Sequence, residues 1–170
     1  MHLLIEAIRL TLFPAVMAFA ASSDLLTMTI ANRISLILVA GFLLLAGLTG
    51  MSASALLLHI GAAAAVLAVA FVLFACGWIG GGDAKFAAAA ALWLGFAHLL
   101  DYVVYASLLG GALTLLLLQF RGLPLPRLLV GQPWAERLHH RDSGVPYGIA
   151  LAAAALLIYP HTEWMAAIGR

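Results

Sequence analysis

The chain has 170 residues, a net charge of +1 and a single cysteine, and 65% of its residues are hydrophobic. An apolar content so far above the roughly 45–50% of soluble domains marks an integral membrane protein. The near-neutral balance, without a basic block, argues against nucleic acid as a partner, and the lone Cys76 excludes an intrachain disulfide, a cysteine zinc cluster and a CxxC redox pair.

At about 20 residues per crossing, the length accommodates about six transmembrane helices with short loops. The expected fold is all-α, a polytopic helical bundle forming one membrane-embedded domain over residues 1–170. The first span is expected at residues 3–21, interrupted by Glu6, Arg9 and Pro14. Ala18-Phe19-Ala20 resembles a signal-peptide cleavage site, but no basic region precedes it and Glu6 intervenes, so the stretch reads as a retained span. Asp24 then opens the first loop. A second span is expected at 34–48 and a third at 53–78, with Cys76 packed inside as a small hydrophobe. The run Gly80-Gly81-Gly82-Asp83-Ala84-Lys85 breaks the apolar pattern. Residues 84–120 are too long for one span and are expected to form a hairpin turning near 98–101, with Asp101 in the turn. The alanines at 87–91 indicate close helix packing, because small side chains let backbones approach. A polar segment at 121–144 precedes a last span at 145–159, extending as far as 168.

Six of the eight basic residues, Arg33, Lys85, Arg121, Arg127, Arg137 and Arg141, fall in the loops after spans one, three and five, which places those loops on the cytoplasmic side. Asp24 and Asp83 then share that membrane face. A carboxylate beside hydrocarbon is costly and by default functional. If the two meet, mutual repulsion leaves them one shared proton. Such a pair can activate water with one carboxylate while the other, protonated, polarises a peptide group, cleaving it with neither metal nor cofactor. The bland alternatives are a helix-end acid or cap for Asp24 and an N-cap for Asp83. Lys85 either anchors its helix at the headgroups or eases the charge cost of the pair. His59, His98 and His161 fall toward the opposite face without metal-ligand spacing, and His139 and His140 lie in a solvated loop. No serine-hydrolase, zincin or nucleotide-binding motif is present.

The run from Gly80 through Asp83 to Lys85-Phe86, followed by alanines and Leu92-Trp93-Leu94-Gly95, resembles the GxGD region of type IV prepilin peptidases. Ser23-Asp24-Leu25-Leu26 through Ile30-Ala31-Asn32-Arg33 resembles that family's other acidic segment, and Val145-Pro146-Tyr147-Gly148 is similar to its entry into the last span. The resemblance implies a membrane aspartic endopeptidase with Asp24 and Asp83 as the catalytic pair. Gly80, Gly81 and Gly82 would shape the loop presenting Asp83, with Asn32 and Lys85 in support. It further implies removal of a short basic leader, just after a glycine, from prepilins or pseudopilins at the cytoplasmic face of the bacterial inner membrane, with pilus assembly machinery as a further partner.

The small size and lack of a cysteine-rich N-terminal domain resemble the short tight-adherence (Flp) branch and imply no N-methyl transfer. Ala31 replaces the proline of the family's Ile-Pro-Asn triplet, and Leu25, Leu26 and Met28 replace basic residues often found there, so the conformation of that loop and leader recognition are the points of departure. Two other readings remain at this stage. One is a noncatalytic membrane subunit of a pilus or secretion machine, with acids that only close helix ends. The other is a proton or cation transporter, which is disfavoured because both acids sit at one end of their spans.

Overall fold

In the computed structural model, which describes residues 2–166 and 168, the chain is helical throughout its apolar stretches and no strand occurs among the described residues. The helices are α1 (His2–Thr27), α2 (Asn32–Thr49), α3 (Ala53–Ala75), α4 (Gly81–Leu94), α5 (Leu99–Gly122), α6 (Pro133–His139), α7 (Tyr147–Ile158) and α8 (Glu163–Ala166). Short 3-10 turns occupy Phe96–His98, Arg127–Leu129 and Tyr159–His161. Five helical segments are long and apolar enough to cross a membrane: α1, α2, α3, the segment Phe96–Gly122 containing α5, and the segment Tyr147–Ala166 containing α7. The remaining apolar helix, α4, has only 14 residues. It completes the expected bundle of about six.

Small side chains decide what lies at the centre. All five alanines from Ala87 to Ala91 are buried in α4, and Ala150, Ala152, Ala154 and Ala155 are buried in α7. Both helices can therefore be approached closely by several neighbours, which is how helices associate where lipid is as apolar as leucine. α4 packs against α2, α3, α5 and α7, and α7 packs against α1, α4 and α5. The outer helices present Leu57, Val69 and Phe71 of α3 and Leu108, Leu115 and Leu116 of α5 outward, as lipid-facing surfaces require.

At one end of the bundle the core is aromatic. Trp93 is fully buried, donates from Nε1 to the Leu38 carbonyl at 2.9 Å, and lies among Phe13, Phe42, Tyr159 and Trp164. Trp164 donates in turn to the Trp93 carbonyl at 2.9 Å, and His59 Nδ1 sits 2.7 Å from the Leu92 carbonyl. Helix α4 ends there, and these side chains take up carbonyls of its last turn that no amide can reach.

Several expected boundaries shift. Pro14 does not interrupt the first span, and α1 continues through Asp24 to Thr27, so Asp24 is a helical residue rather than the opening of a loop. Ser22 and Thr27 hydroxyls bond the carbonyls four residues back at 2.8 and 2.7 Å, which lets this polar end stay helical. The hairpin turns at residues 95–98, not 98–101. Gly95, with φ +68, supplies the left-handed conformation that stops α4, and Asp101 lies exposed in the first turn of α5. Cys76 is exposed at the C-cap of α3 instead of packed inside.

Candidate active site

The end of the bundle opposite the aromatic cluster collects the two acids. Asp24 comes from the last turn of α1 and is 3% exposed. Its Oδ2 accepts a hydrogen bond from the Gly148 amide at 2.7 Å, joining residues at the end of α1 and the start of α7. Gly148 sits in the first turn of α7, where amides lack helical partners, so the carboxylate fills a donor that the helix itself leaves open. Proximity there leaves no room for a side chain. A Cβ on Gly148 would stand 2.5 Å from Ile30 Cδ1 and 2.8 Å from Asp24 Oδ2.

Asp83 is the third residue of α4, half-buried, with Gly80 as the N-cap, so it does not take the N-cap position that the bland alternative gave it. Its carboxylate folds back against the N-cap, so that a Cβ on Gly80 would stand 3.0 Å from Asp83 Oδ2. The three glycines serve different contacts. Gly80 lies against the Asp83 carboxylate, Gly81 against the Phe74 ring, and Gly82 against the Ile30 carbonyl, where a Cβ would be 3.0 Å from backbone oxygen. Ile30 thus touches Gly148 on one side and Gly82 on the other, and wedges between the first turns of α7 and α4. Asp24, bonded to Gly148, and the Asp83-bearing turn of α4 are thus brought to either side of one residue, Ile30.

The connection between α1 and α2 keeps this geometry. Met28 takes a left-handed φ of 56 and turns the chain sharply after α1. Ala31 follows as N-cap of α2 with φ −67 and ψ 139. Those are the angles that proline would impose, so alanine leaves the backbone path unchanged and gives up only proline's rigidity. Asn32 and Lys85, both exposed, meet across the site: Lys85 Nζ donates to Asn32 Oδ1 at 3.0 Å, tying the start of α2 to the first turn of α4. No ion pair between Lys85 and Asp83 occurs among the described residues.

Arginines from the polar segment close the same end. Arg137 of α6 donates to the Leu26 carbonyl at 2.7 Å, capping α1 two residues beyond Asp24. Arg121 donates to the Leu138 carbonyl at 2.8 Å and the Gly144 carbonyl at 2.7 Å. His139 is not merely solvated, since its Nε2 lies 2.8 Å from the Leu123 carbonyl and its ring meets Phe120 edge-on. Farther off, His98 and His161 line a cavity with Asp101 and Tyr105, away from the acids. No trio of histidine, cysteine or acidic side chains is arranged for a metal ion among the described residues.

All seven site residues expected from the sequence therefore converge on one end of the bundle. The contribution missed at the sequence level is that of Gly148. The Val145-Pro146-Tyr147-Gly148 segment stands out in the sequence, but its amide donor and its lack of a Cβ acquire meaning only from the position of Asp24.

The family model of the type IV leader peptidase family matches residues 11–115, a stretch that contains both acids and all of α2, α3 and α4. The chain belongs to this family of membrane proteases, which processes prepilins. No curated protein and no solved structure matched the chain.

Proposed function

We propose that residues 1–170 act as a single membrane-embedded aspartic endopeptidase that removes the short basic leader of Flp-type prepilins or pseudopilins. The site would face the cytoplasm from the bacterial inner membrane, and pilus assembly machinery would receive the product. The observation that carries this reading is the approach of Asp24 and Asp83 from separate helices at one end of the bundle. In the reaction, the ionised carboxylate takes a proton from water as its oxygen attacks the scissile carbonyl, and the protonated partner hydrogen-bonds the carbonyl oxygen as charge develops there. Collapse of the tetrahedral intermediate expels the amine, which takes up a proton, leaving a carboxyl on the leader and a new amino terminus on the pilin. No group is transferred beyond water, so the reaction calls for neither metal nor cofactor, and methyl transfer is not expected.

The glycine run and Gly148 let the starts of α4 and α7 close tightly on Ile30 and the two acids. Lys85 and Asn32 would hold the start of α2 in register with the Asp83-bearing turn of α4. The substrate's apolar helix would pack on the bundle from the lipid while its basic leader stays in water.

A second reading has an observation of its own. Asp24 bonds an amide in the first turn of α7 and the Asp83 carboxylate lies against the N-cap Gly80 of α4, as acids that only close helix ends would do in a noncatalytic assembly subunit. Such a role needs only an acceptor oxygen, which asparagine retains. The deciding experiment follows leader loss by gel shift in membranes containing a Flp-type prepilin, with wild type, Asp24→Asn and Asp83→Asn at matched expression. Cleavage by wild type alone is expected. Substantial cleavage by either variant removes that residue from the pair. No cleavage by wild type, while a reference prepilin peptidase cuts the same substrate, favours the assembly subunit.

A further inference from the structure

Exposed apolar side chains are ordinary on the flanks of a membrane bundle, but one group of them lies beyond the spans. After α5 ends at Gly122 the chain runs through Leu123-Pro124-Leu125-Pro126 into the 3-10 turn Arg127–Leu129, and there Leu123, Leu128 and Val130 are 64%, 92% and 61% exposed. Large apolar side chains left open to water in one short loop carry a cost that a covering surface removes. The loop is not free to fold them inward. The Leu129 amide donates to the Pro126 carbonyl at 2.8 Å, the Gly131 amide donates to Glu136 Oε1 at 2.8 Å, and His139 Nε2 lies 2.8 Å from the Leu123 carbonyl. Both ends of the segment are therefore pinned to α6, and Gly131, with φ +82, makes the turn that leads into it.

Position and charge say what the covering surface is. Arg121, in the last turn of α5, bonds the Leu138 and Gly144 carbonyls just ahead of α7, which holds the segment level with the ends of two spans. Along α5 the exposed Leu115, Leu116 and Leu118 lead toward Leu123, so the apolar side chains of the loop continue a lipid-facing surface. Between positions 121 and 135 the sequence carries two arginines and no acid, and Arg127 is exposed with no ion pair among the described residues. Leucines beside an arginine at the end of a span match a headgroup layer, the apolar side chains lying below the phosphates and the guanidinium among them. We propose that residues 123–130 form an interfacial anchor that lies in the headgroup layer on the side of the acids and takes anionic lipid as its partner. Because the anchor is tied to α6, and Arg137 of α6 bonds the Leu26 carbonyl two residues beyond Asp24, lipid contact also steadies the end of α1. The anchor does not depend on the peptidase reading.

The experiment places a bimane fluorophore on single cysteines in the full chain with Cys76→Ser, reconstituted in bilayer nanodiscs of phosphatidylcholine alone or with a third of phosphatidylglycerol. Leu128→Cys carries the test. Leu115→Cys on α5 and Asp142→Cys, both at exposed positions, supply the lipid and water references. Each sample is quenched by lipids brominated in their acyl chains and, separately, by aqueous iodide, and fluorescence lifetimes give the ratio of inserted to water-exposed label. In anionic discs, position 128 should be quenched by brominated lipid as position 115 is and shielded from iodide, whereas position 142 is quenched by iodide. Adding Arg127→Gln should lower the inserted-to-exposed ratio at position 128 about fivefold in anionic discs, the worth of one basic side chain at such a surface, and leave it unchanged in neutral discs.

Iodide quenching at position 128 equal to that at position 142 overturns the proposal by leaving the leucines in water. Shielding from both quenchers also overturns it, because a protein surface, from a second copy or another chain, then covers the segment. Insertion that is the same in neutral and anionic discs and indifferent to Arg127→Gln overturns anionic lipid as the partner. None of these readouts uses prepilin cleavage, so the peptidase reading and this one can fail separately.

Discussion

Replacing Gly148 by alanine adds one methyl group at the tightest point of the site. The new Cβ would stand 2.5 Å from Ile30 Cδ1, 2.8 Å from Asp24 Oδ2 and 3.1 Å from Asp24 Cγ. Ordinary contact for such a carbon begins at about 3.4 Å, so relief requires displacements of roughly 0.5–1 Å shared by the start of α7, Ile30 and the Asp24 side chain. Overpacking of this kind costs about 1–3 kcal/mol in a well-filled interior, which a bundle of this size can bear. The consequence for turnover is larger. A misplacement of about 1 Å in a reacting group can cost about 100-fold in rate. The Gly148 amide survives the substitution, so the loss would come from displacement rather than from a deleted donor. Gel-shift cleavage at matched membrane levels is the assay, with Gly111→Ala as the control, because a Cβ at Gly111 meets nothing within 4 Å. Cleavage by Gly148→Ala should fall by about 30- to 100-fold while Gly111→Ala matches wild type. Cleavage by Gly148→Ala within threefold of wild type would refute the geometry claimed for Asp24 (order of magnitude, about half a decade).

Further outcomes follow from other contacts. Asn32→Ala and Lys85→Met should each slow cleavage only a few-fold, and the double variant should be no worse than either single, since both delete the same bond; a double-mutant cycle on stability should give about 0.5–1 kcal/mol of coupling. Trp93→Ala should cost about 3 kcal/mol by opening a cavity among Phe13, Phe42 and Tyr159 and leaving the Leu38 and Trp164 contacts unmade, seen as reduced accumulation and a lower thermal midpoint. Equal accumulation would show that the aromatic cluster is not the fold's anchor. Topology is checked by a single cysteine placed at residues 127–140 after removal of the exposed Cys76: labelling should require permeabilised inner membrane, and labelling from outside would overturn the orientation.

Composition and hydropathy made the bundle legible because lipid demands long apolar helices and leaves few alternatives. The acids were legible for the same reason, as rare charges at the ends of apolar runs. Boundaries proved harder where polar residues stay helical. Ser22, Ser23 and Asp24 look like the start of a loop by hydropathy, but hydroxyls bonded back along the helix and a buried carboxylate bonded to another helix keep α1 going. The turn after α4 was missed by a few residues because Gly95 was read as part of an apolar run, although its positive φ ends the helix. Arg121 and Arg137 counted correctly as charges that mark a membrane side, but their hydrogen bonds to the ends of α1 and of the 138–144 segment depend on distant backbone. Ala31 shows the converse. The sequence suggested an altered loop, yet the φ value is one that alanine adopts without strain.

The shortness of α4 has a consequence for the surrounding bilayer. Its 14 residues rise about 21 Å, against a hydrocarbon layer of about 30 Å. The Gly80 and Gly95 ends therefore cannot both reach the level of the headgroups, and one face of the protein, or each, carries a dent over this helix. Lipid cannot fill that dent from the side, because α4 is walled in by α2, α3, α5 and α7. Water can. Water entering the dent at the Gly80 end would meet Asp83, which is half-buried in the first turn of α4.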